Sequence, residues 1–483
     1  MNICYTSYRL KKSITNEKTL VILSASFFEA RIGAVVNTIN KDFYKRVISL
    51  VIPMAIQNLI NVGVMAADVI MLGKVGETVL SGASLAGQVF FILNLILFGT
   101  TSGACVLIAQ YWGKRDIEAI EKIIGISMRL GIIVSIIFTA ATLIIPVPIM
   151  HIFTSEPEVI VEGVKYLRII AFTYPMIAIT MVYLNLIKSV EKVVIATVVY
   201  AASLCLNVIL NAILIFGLFG APAMGIEGAA IGTLCARILE LIIMIIYATK
   251  VNKEVQIRFL YLWKQDKMLR KDFFHYSGPV IINEMIWGLG YSANAAIVGH
   301  LGSSAVAANS VVQVTRQLAM VIVFGIGNAT AIMIGKAIGE QKDKIAEIYG
   351  KKFVHLALVF GALGGVIILL IRPFIISGLN FTGTTAAYMN TFLLVMSYYV
   401  IGQAFNTVII VGVLRAGGDT KFGLLMDCLS MWCGSIMLGA IAAFVLHLPV
   451  EIVYVVLMCD ELIKIPFSLM RYKKKKWLKN VTR

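Results

Sequence analysis

A single carboxylate, Asp68, sits near the end of an apolar run that begins at about Val47. An isolated acid in such a run costs about 2.5–3.5 kcal/mol at the centre of a membrane-inserted helix, so it needs a partner, a water-filled cavity or an ion path. The chemistry open to it is uptake of a proton or of a small cation. The plainer alternative is a carboxylate that caps a neighbouring helix or pairs with a lysine near the outer surface. Asn207 and Asn211 stand four apart and share one helix face. Their carbonyls can offer neutral ligands to Na+, or hydrogen bonds to a protonated Asp68. The same pair can instead be a hydrogen-bonded contact between helices. Glu284, five residues past Pro279, is a second acid inside an apolar run. Further charges in apolar runs are Arg237, Glu240, Asp427, Asp460, Glu461 and Lys464. Arg237 with Glu240, and Glu461 with Lys464, have the spacing of pairs on one helix face.

These residues need helices to position them, and the composition supplies the helices. The chain of 483 residues is 59% apolar and only 14% charged, with a mean hydropathy of +0.89. Soluble chains carry about 25% charged residues. The long apolar runs describe an all-α polytopic membrane protein, and no alternating strands suggest a barrel. The net charge of +16 falls in loops and tails, so nucleic acid is not an expected partner. The seven cysteines form no Cys-x-x-Cys pair, which indicates neither a disulfide framework nor a zinc site. The five histidines are scattered. No Gly-x-Ser-x-Gly with His, paired Asp motif or His-Glu-x-x-His is present, so neither an enzyme nor a cofactor is expected.

Twelve spans are expected at about 47–72, 86–111, 123–146, 163–187, 193–216, 229–249, 273–298, 305–335, 352–372, 387–412, 420–443 and 450–470. Positive residues crowd alternate loops, and only Lys74 and Arg372 break the pattern. By the positive-inside rule, both termini are cytoplasmic in a multi-pass protein of the plasma membrane. Residues 1–42 read as a polar cytoplasmic tail whose apolar run at 20–28 is too short to span. The terminal lysines of 471–483 form a basic tail able to meet anionic lipid. The chain also repeats: Pro53 and Pro279, Gly73 and Gly299, Gly76 and Gly302, Ser84 and Ser310, Phe98-Gly99 and Phe324-Gly325, and Gly113 and Gly339 are each 226 positions apart. Two pseudo-symmetric six-helix lobes follow, an N-lobe at 43–249 and a C-lobe at 273–470, joined by a cytoplasmic loop at 250–272. The counterpart of Asp68 is Asn294, so the carboxylate exists in one lobe only.

Four stretches in order on these spans carry a resemblance. They are Ala67-Asp-Val-Ile-Met-Leu-Gly73, Ala109-Gln-Tyr-Trp-Gly-Lys-Arg115, Gly225-Ile-Glu-Gly-Ala-Ala-Ile-Gly-Thr233 and Val413-Leu-Arg-Ala-Gly-Gly-Asp-Thr-Lys-Phe422. From about residue 42 onward the chain resembles the multidrug and toxic compound extrusion (MATE) transporters. The resemblance implies an antiporter that works by alternating access, as a monomer. It would export small organic compounds, cationic or amphipathic, in exchange for H+ or Na+. Asp68 matches the first-span acid of the family's N-lobe cation site. Asn207 and Asn211 match two further positions, the second of which is an acid in some members, and Thr233 matches a hydroxyl there. A Na+ at Asp68, Asn207 and Asn211 is one implied occupant. Some branches carry an essential Glu one turn after Glu284, where this chain has Trp287, and an Asp in span ten, where Gln403 and Asn406 stand instead. Glu284, Trp287, Asn294, Gln403 and Asn406 are therefore expected at a substrate cavity. The alternative within the same superfamily is a flippase for lipid-linked oligosaccharides. It would need a strongly basic cavity, and the intramembrane charges here are mixed.

Overall fold

The computed structural model describes residues 41–264, 266–378 and 383–482. By its contacts the chain divides into Met1–Ser49 and Leu50–Arg483. In the first unit residues 41–49 are helical, and Ser49 Oγ donates to the Arg46 carbonyl at 2.8 Å. The rest of the expected tail, with its apolar run at 20–28, lies outside the described residues.

The described residues form helices joined by short turns. They are α1 (Lys41–Val75), α2 (Glu77–Lys114), α3 (Ile117–Ile144), α4 (Pro146–Phe153), α5 (Pro157–Ile170), α6 (Thr173–Lys188), α7 (Val194–Phe216), α8 (Gly225–Val251) and α9 (Phe259–Trp263). Then follow α10 (Lys267–His300), α11 (Ser303–Gly339), α12 (Asp343–Ser377), α13 (Gly383–Leu414), α14 (Thr420–Val445), α15 (Val450–Leu457) and α16 (Asp460–Lys473). Prolines open α4 and α5, where a missing N–H is harmless. Gly217, at φ +72°, closes α7 in the left-handed conformation that glycine adopts freely.

Nine of these helices are each long and apolar enough to cross a membrane, among the described residues. This differs from the expected twelve in three places. Span four is a bent pair, α5 and α6, at 55° to each other, which makes a tenth crossing if counted as one. Span twelve is broken between α15 and α16, because Met458 and Cys459 leave the helix and α16 opens on Asp460 and Glu461. Span seven, α10, has 34 residues, but Asn283, Glu284, Ser292 and Asn294 within 273–298 leave it less apolar than the others, so length alone qualifies it.

The repeat is visible in the element boundaries. α2 and α11 start at 77 and 303, and α3 and α12 at 117 and 343, each pair 226 residues apart. The repeated glycines mark where the halves cross. A Cβ on Gly99 would run into the backbone of Ile281, and one on its counterpart Gly325 would press on the Val51 carbonyl. A Cβ on Gly113 would meet the Lys336 carbonyl, and one on Gly339 the Gln110 carbonyl. Helix backbones approach this closely only over small residues. Apolar cores fill each half: one holds Leu93, Leu107, Ile124 and Tyr183, the other Val312, Met396, Phe392 and Tyr454.

Polar contacts between the halves gather at the end that bears the basic loops. Lys336 reaches Glu191 at 2.7 Å, and Arg415 donates to Ser102 at 2.6 Å. Gln110 donates to the carbonyls of Ala416 at 2.8 Å and Lys479 at 3.1 Å, and accepts from the Val481 N–H at 2.7 Å. The last residues thus fold back: Trp477 is 1% exposed, while Lys473–Lys476 face outward. Because the Glu191–Lys336 pair is partly solvated, its removal should cost no more than about 1 kcal/mol. We expect Glu191→Gln to enlarge the population open at this end about fivefold. Spin-label distances between cysteines at positions 115 and 341 would read it, and an unchanged distance distribution would refute it.

Candidate functional site

The structure brings together four residues expected at one site. Asp68 comes from α1, Asn207 and Asn211 from α7, and Thr233 from α8. Asn211 Nδ2 donates to Asp68 Oδ1 at 2.7 Å and lies 3.3 Å from Asn207 Oδ1. Asn207 Nδ2 donates in turn to Thr233 Oγ1 at 3.2 Å. The result is one hydrogen-bonded chain, Asp68–Asn211–Asn207–Thr233. Both asparagines are buried, at 2% and 0% exposure. The helical spacing puts them on the face of α7 that packs on α8. Gly228 and Gly232 of α8 allow that approach: a Cβ on Gly228 would meet the Leu214 backbone, and one on Gly232 would strike Asn211 Oδ1.

That Oδ1 is buried and has no hydrogen-bond partner among the described residues. A buried acceptor without a donor is costly, by about 1–3 kcal/mol. Asn211 turns its Nδ2 to the Asp68 carboxylate and this Oδ1 toward Gly232, so it would join Asp68 in holding a small cation only after its amide turned over. The same carboxylate can instead take a proton. Arg237, one turn beyond Thr233, is within electrostatic reach of Asp68, but its charge is engaged by Glu240 at 2.6 Å. Crowding at Gly232 gives a direct probe. Gly232→Ala should displace the Asn211 side chain and lower stability by about 1–3 kcal/mol, as overpacking does. A thermal melt of the purified variant indistinguishable from wild type would show that the crowding is absent.

In the other half the expected residues separate. Trp287, Asn294 and Gln403 line one cavity, which they share with Arg316, Tyr399 and Asp460. Glu284 and Asn406 are not among its lining residues. Glu284 instead pairs with Arg415 at 3.2 Å, and Asn406 Nδ2 donates to Glu461 at 2.8 Å. Lys464 holds three carboxylates, Asp427 at 2.8 Å, Asp460 at 3.2 Å and Glu461 at 3.3 Å. The Glu461–Lys464 and Arg237–Glu240 pairs have the partners their spacing indicates. Asp427 and Asp460 join Lys464 through tertiary packing and the same i,i+4 turn.

A family model, MatE, matches residues 53–213 and again 279–441. The two matches start 226 residues apart, at the two prolines of the internal repeat. The chain belongs to the MatE family. This is a family of transporters, not enzymes. Among its relatives is the "Uncharacterized transporter YisQ" of Bacillus subtilis, 24% identical over 85% of this chain and 90% of that protein. Another is the "Probable multidrug resistance protein NorM" of Rhizobium meliloti, 26% identical over 79% of this chain and 82% of that one. The same fold occurs in a MATE structure described as the bent conformation, with a TM-score of 0.80 at 18% identity, covering 91% and 97% of the two chains. It also occurs in a point mutant of the Vibrio cholerae MATE transporter VcmN, with a TM-score of 0.82 at 16% identity over 91% and 99%. The protein is thus a multi-pass membrane transporter of the MATE type.

Two residues that matter to this MATE protein were not singled out as partners or lining by sequence. Arg415 sits within the Val413–Phe422 stretch, yet its pairing with Glu284 spans 131 positions and leaves no local signal. Arg316 did carry a signal: its counterpart 226 positions earlier is Phe90, an apolar residue at the same place in the repeat.

Proposed function

We propose that this protein is a secondary active antiporter that exports small organic compounds in exchange for H+ or Na+. The observation that carries the reading is the hydrogen-bonded chain from Asp68 to Thr233, built in one half only. The repeat keeps the glycine crossings in both halves but gives the acid to one, so packing symmetry does not require it. Neutralising Asp68 with a proton or Na+ changes what Asn211 donates to, and with it the contact of α1 on α7. Gln57 and Thr197 tie the same two helices lower down, since Gln57 donates to Thr197 at 2.9 Å and Thr197 to the Pro53 carbonyl at 3.1 Å. A shift at Asp68 is thereby transmitted along α1.

The lobes then rock about the glycine crossings. With the basic loops cytoplasmic, the Lys336–Glu191 and Arg415–Ser102 contacts would hold the cytoplasmic end closed. Both termini lie on the cytoplasmic side of the plasma membrane, the protein acts as a monomer, and the outward lysines of the tail meet anionic lipid. One charge crossing 100 mV supplies about 2.3 kcal/mol, enough for roughly a fifty-fold gradient of a neutral substrate. The flippase reading is not favoured: relatives carry multidrug-resistance names, and the buried charges are mixed in sign. Vesicles with Na+ and pH gradients imposed separately decide the matter. Efflux of a cationic dye should follow one gradient and ignore the other. Movement of no dye under either gradient would end the antiporter reading.

A further inference from the structure

By the geometry of their turns, Glu191 and Gly418 hold the same place in the two halves. Each follows its helix, α6 or α13, in the left-handed conformation, at φ +65° and +79°. Each donates its N–H to the carbonyl three residues back, Lys188 or Arg415. In each turn the next residue donates to the carbonyl five back, Ile187 or Leu414. Gln110 on α2 and Lys336 on α11 are counterparts too, on helices whose starts are 226 residues apart. The first half crosses to the second with a side chain: Glu191 takes the Lys336 ammonium at 2.7 Å. At Gly418 the second half has no side chain to offer.

That place is filled from elsewhere in the chain. A Cβ on Gly418 would press on Val481, and one on Gly417 would collide with the Trp477 carbonyl. Val481 is 7% exposed and joins the apolar core of the first half. Its N–H donates to Gln110 Oε1 at 2.7 Å, and the Lys479 carbonyl accepts from Gln110 Nε2 at 3.1 Å. Gln110 is itself fully buried, so both bonds are shielded from water. The halves are thus bolted twice at the end that bears the basic loops, once between side chains and once by a stretch of backbone. The backbone bolt has its own anchor in the second half. Trp477 stacks on Tyr472 with ring centroids 5.9 Å apart and planes 5° apart, and its Nε1 donates to the Tyr472 carbonyl at 3.2 Å. Between them Lys475 turns the chain back at φ +53°, a conformation that residues other than glycine rarely adopt.

We propose that residues 479–481 are a releasable bolt whose receptor is Gln110. Docked, they hold this end of the two halves together. Their withdrawal, with Trp477 as the fixed pivot, is a step in opening it. The Glu191 side chain is tied to its own turn and can only break its ion pair, whereas a segment beyond an anchored tryptophan can leave altogether. The inference goes beyond the proposed export and needs only that the halves part at this end.

The test reads shape and not transport. Spin labels on cysteines at 115 and 341, in purified protein without other cysteines, report the ratio of open to closed forms. Neither gradient nor substrate is present, so failure of export and failure of the bolt are read separately. Removing residues 479–483 should raise that ratio about ten- to a hundredfold, the worth of two hydrogen bonds. Val481→Asp in the full chain should act in the same direction, since it sets a charge against the apolar core. The truncation and Glu191→Gln should multiply, because the two bolts share no residue. If the truncated protein does not fold, the full chain still decides. Glu191→Gln should then speed amide hydrogen exchange at Val481 by the same factor by which it opens this end, about fivefold. An unchanged distance distribution in either altered tail, or Val481 exchange that ignores Glu191→Gln, would overturn the proposal.

Discussion

Asp68→Asn should abolish gradient-driven export while the protein still folds, inserts and binds its substrates. The substitution keeps the size of the side chain and an oxygen for Asn211 Nδ2, which now donates to the carboxylate at 2.7 Å. The hydrogen-bonded chain through Asn207 to Thr233 can therefore persist. What disappears is the carboxylate proposed to take up a proton or balance Na+. Asn207, Asn211 and Thr233 are neutral, and Arg237 is held by Glu240, so no neighbouring acid on this chain of contacts replaces it. The expected signature is a split. Dye efflux under an imposed gradient falls to the level of empty vesicles, whereas equilibrium binding of the same dye, and the thermal melt, stay near wild type. Normal gradient-driven efflux in the variant would remove Asp68 from the mechanism. By contrast, Asn211→Ala should act more gradually. It removes the donor and the free carbonyl together, so it weakens cation or proton discrimination without deleting the charge.

The extent to which this architecture could be read from residues differs between the halves. In the first half, the i,i+4 spacing of Asn207 and Asn211 put both on one face, and burial of Asn211 against Gly232 follows from that spacing. The repeat offset of 226 reappears in helix starts, because glycines at crossing points and turn residues at helix ends are local features. Pairings in the second half are not local. Glu284 reads as an isolated acid until Arg415, far along the chain, folds beside it. Asp427 looks unpaired until α14 packs on α16 and brings it to Lys464. The broken twelfth span was equally hidden, since 450–470 is apolar overall and the local pairs of Asp460 and Glu461 with Lys464 fit an unbroken helix as well as a broken one. A charge in an apolar run announces that a partner exists, and only tertiary packing says which.

That cluster carries the largest stability effect we expect. Lys464→Met should cost roughly 3–5 kcal/mol, because it leaves Asp427, Asp460 and Glu461 buried with no cation beside them. Distance alone would rank the interaction low. The Lys475–Glu347 pair is shorter, at 2.6 Å, but Lys475 is 59% exposed, and Lys475→Met should leave the melt unchanged. At Lys464 the ammonium is 4% exposed, so water does not screen the carboxylates once it is removed. The carboxylates are also unequal in number to the lysine, which sets the pattern of rescue. Asp427→Asn alone should be mild, because Lys464 keeps two partners. The same substitution in the Lys464→Met background should recover part of the loss, since it removes one of the stranded charges. The double variant should then be more stable than the sum of the two single effects, by about 1 kcal/mol or more. Thermal unfolding of the four proteins in one detergent reads all these terms. Strict additivity, or a Lys464→Met variant as stable as wild type, would mean that the acids shed their charge by another route, and the lysine would then be a bystander.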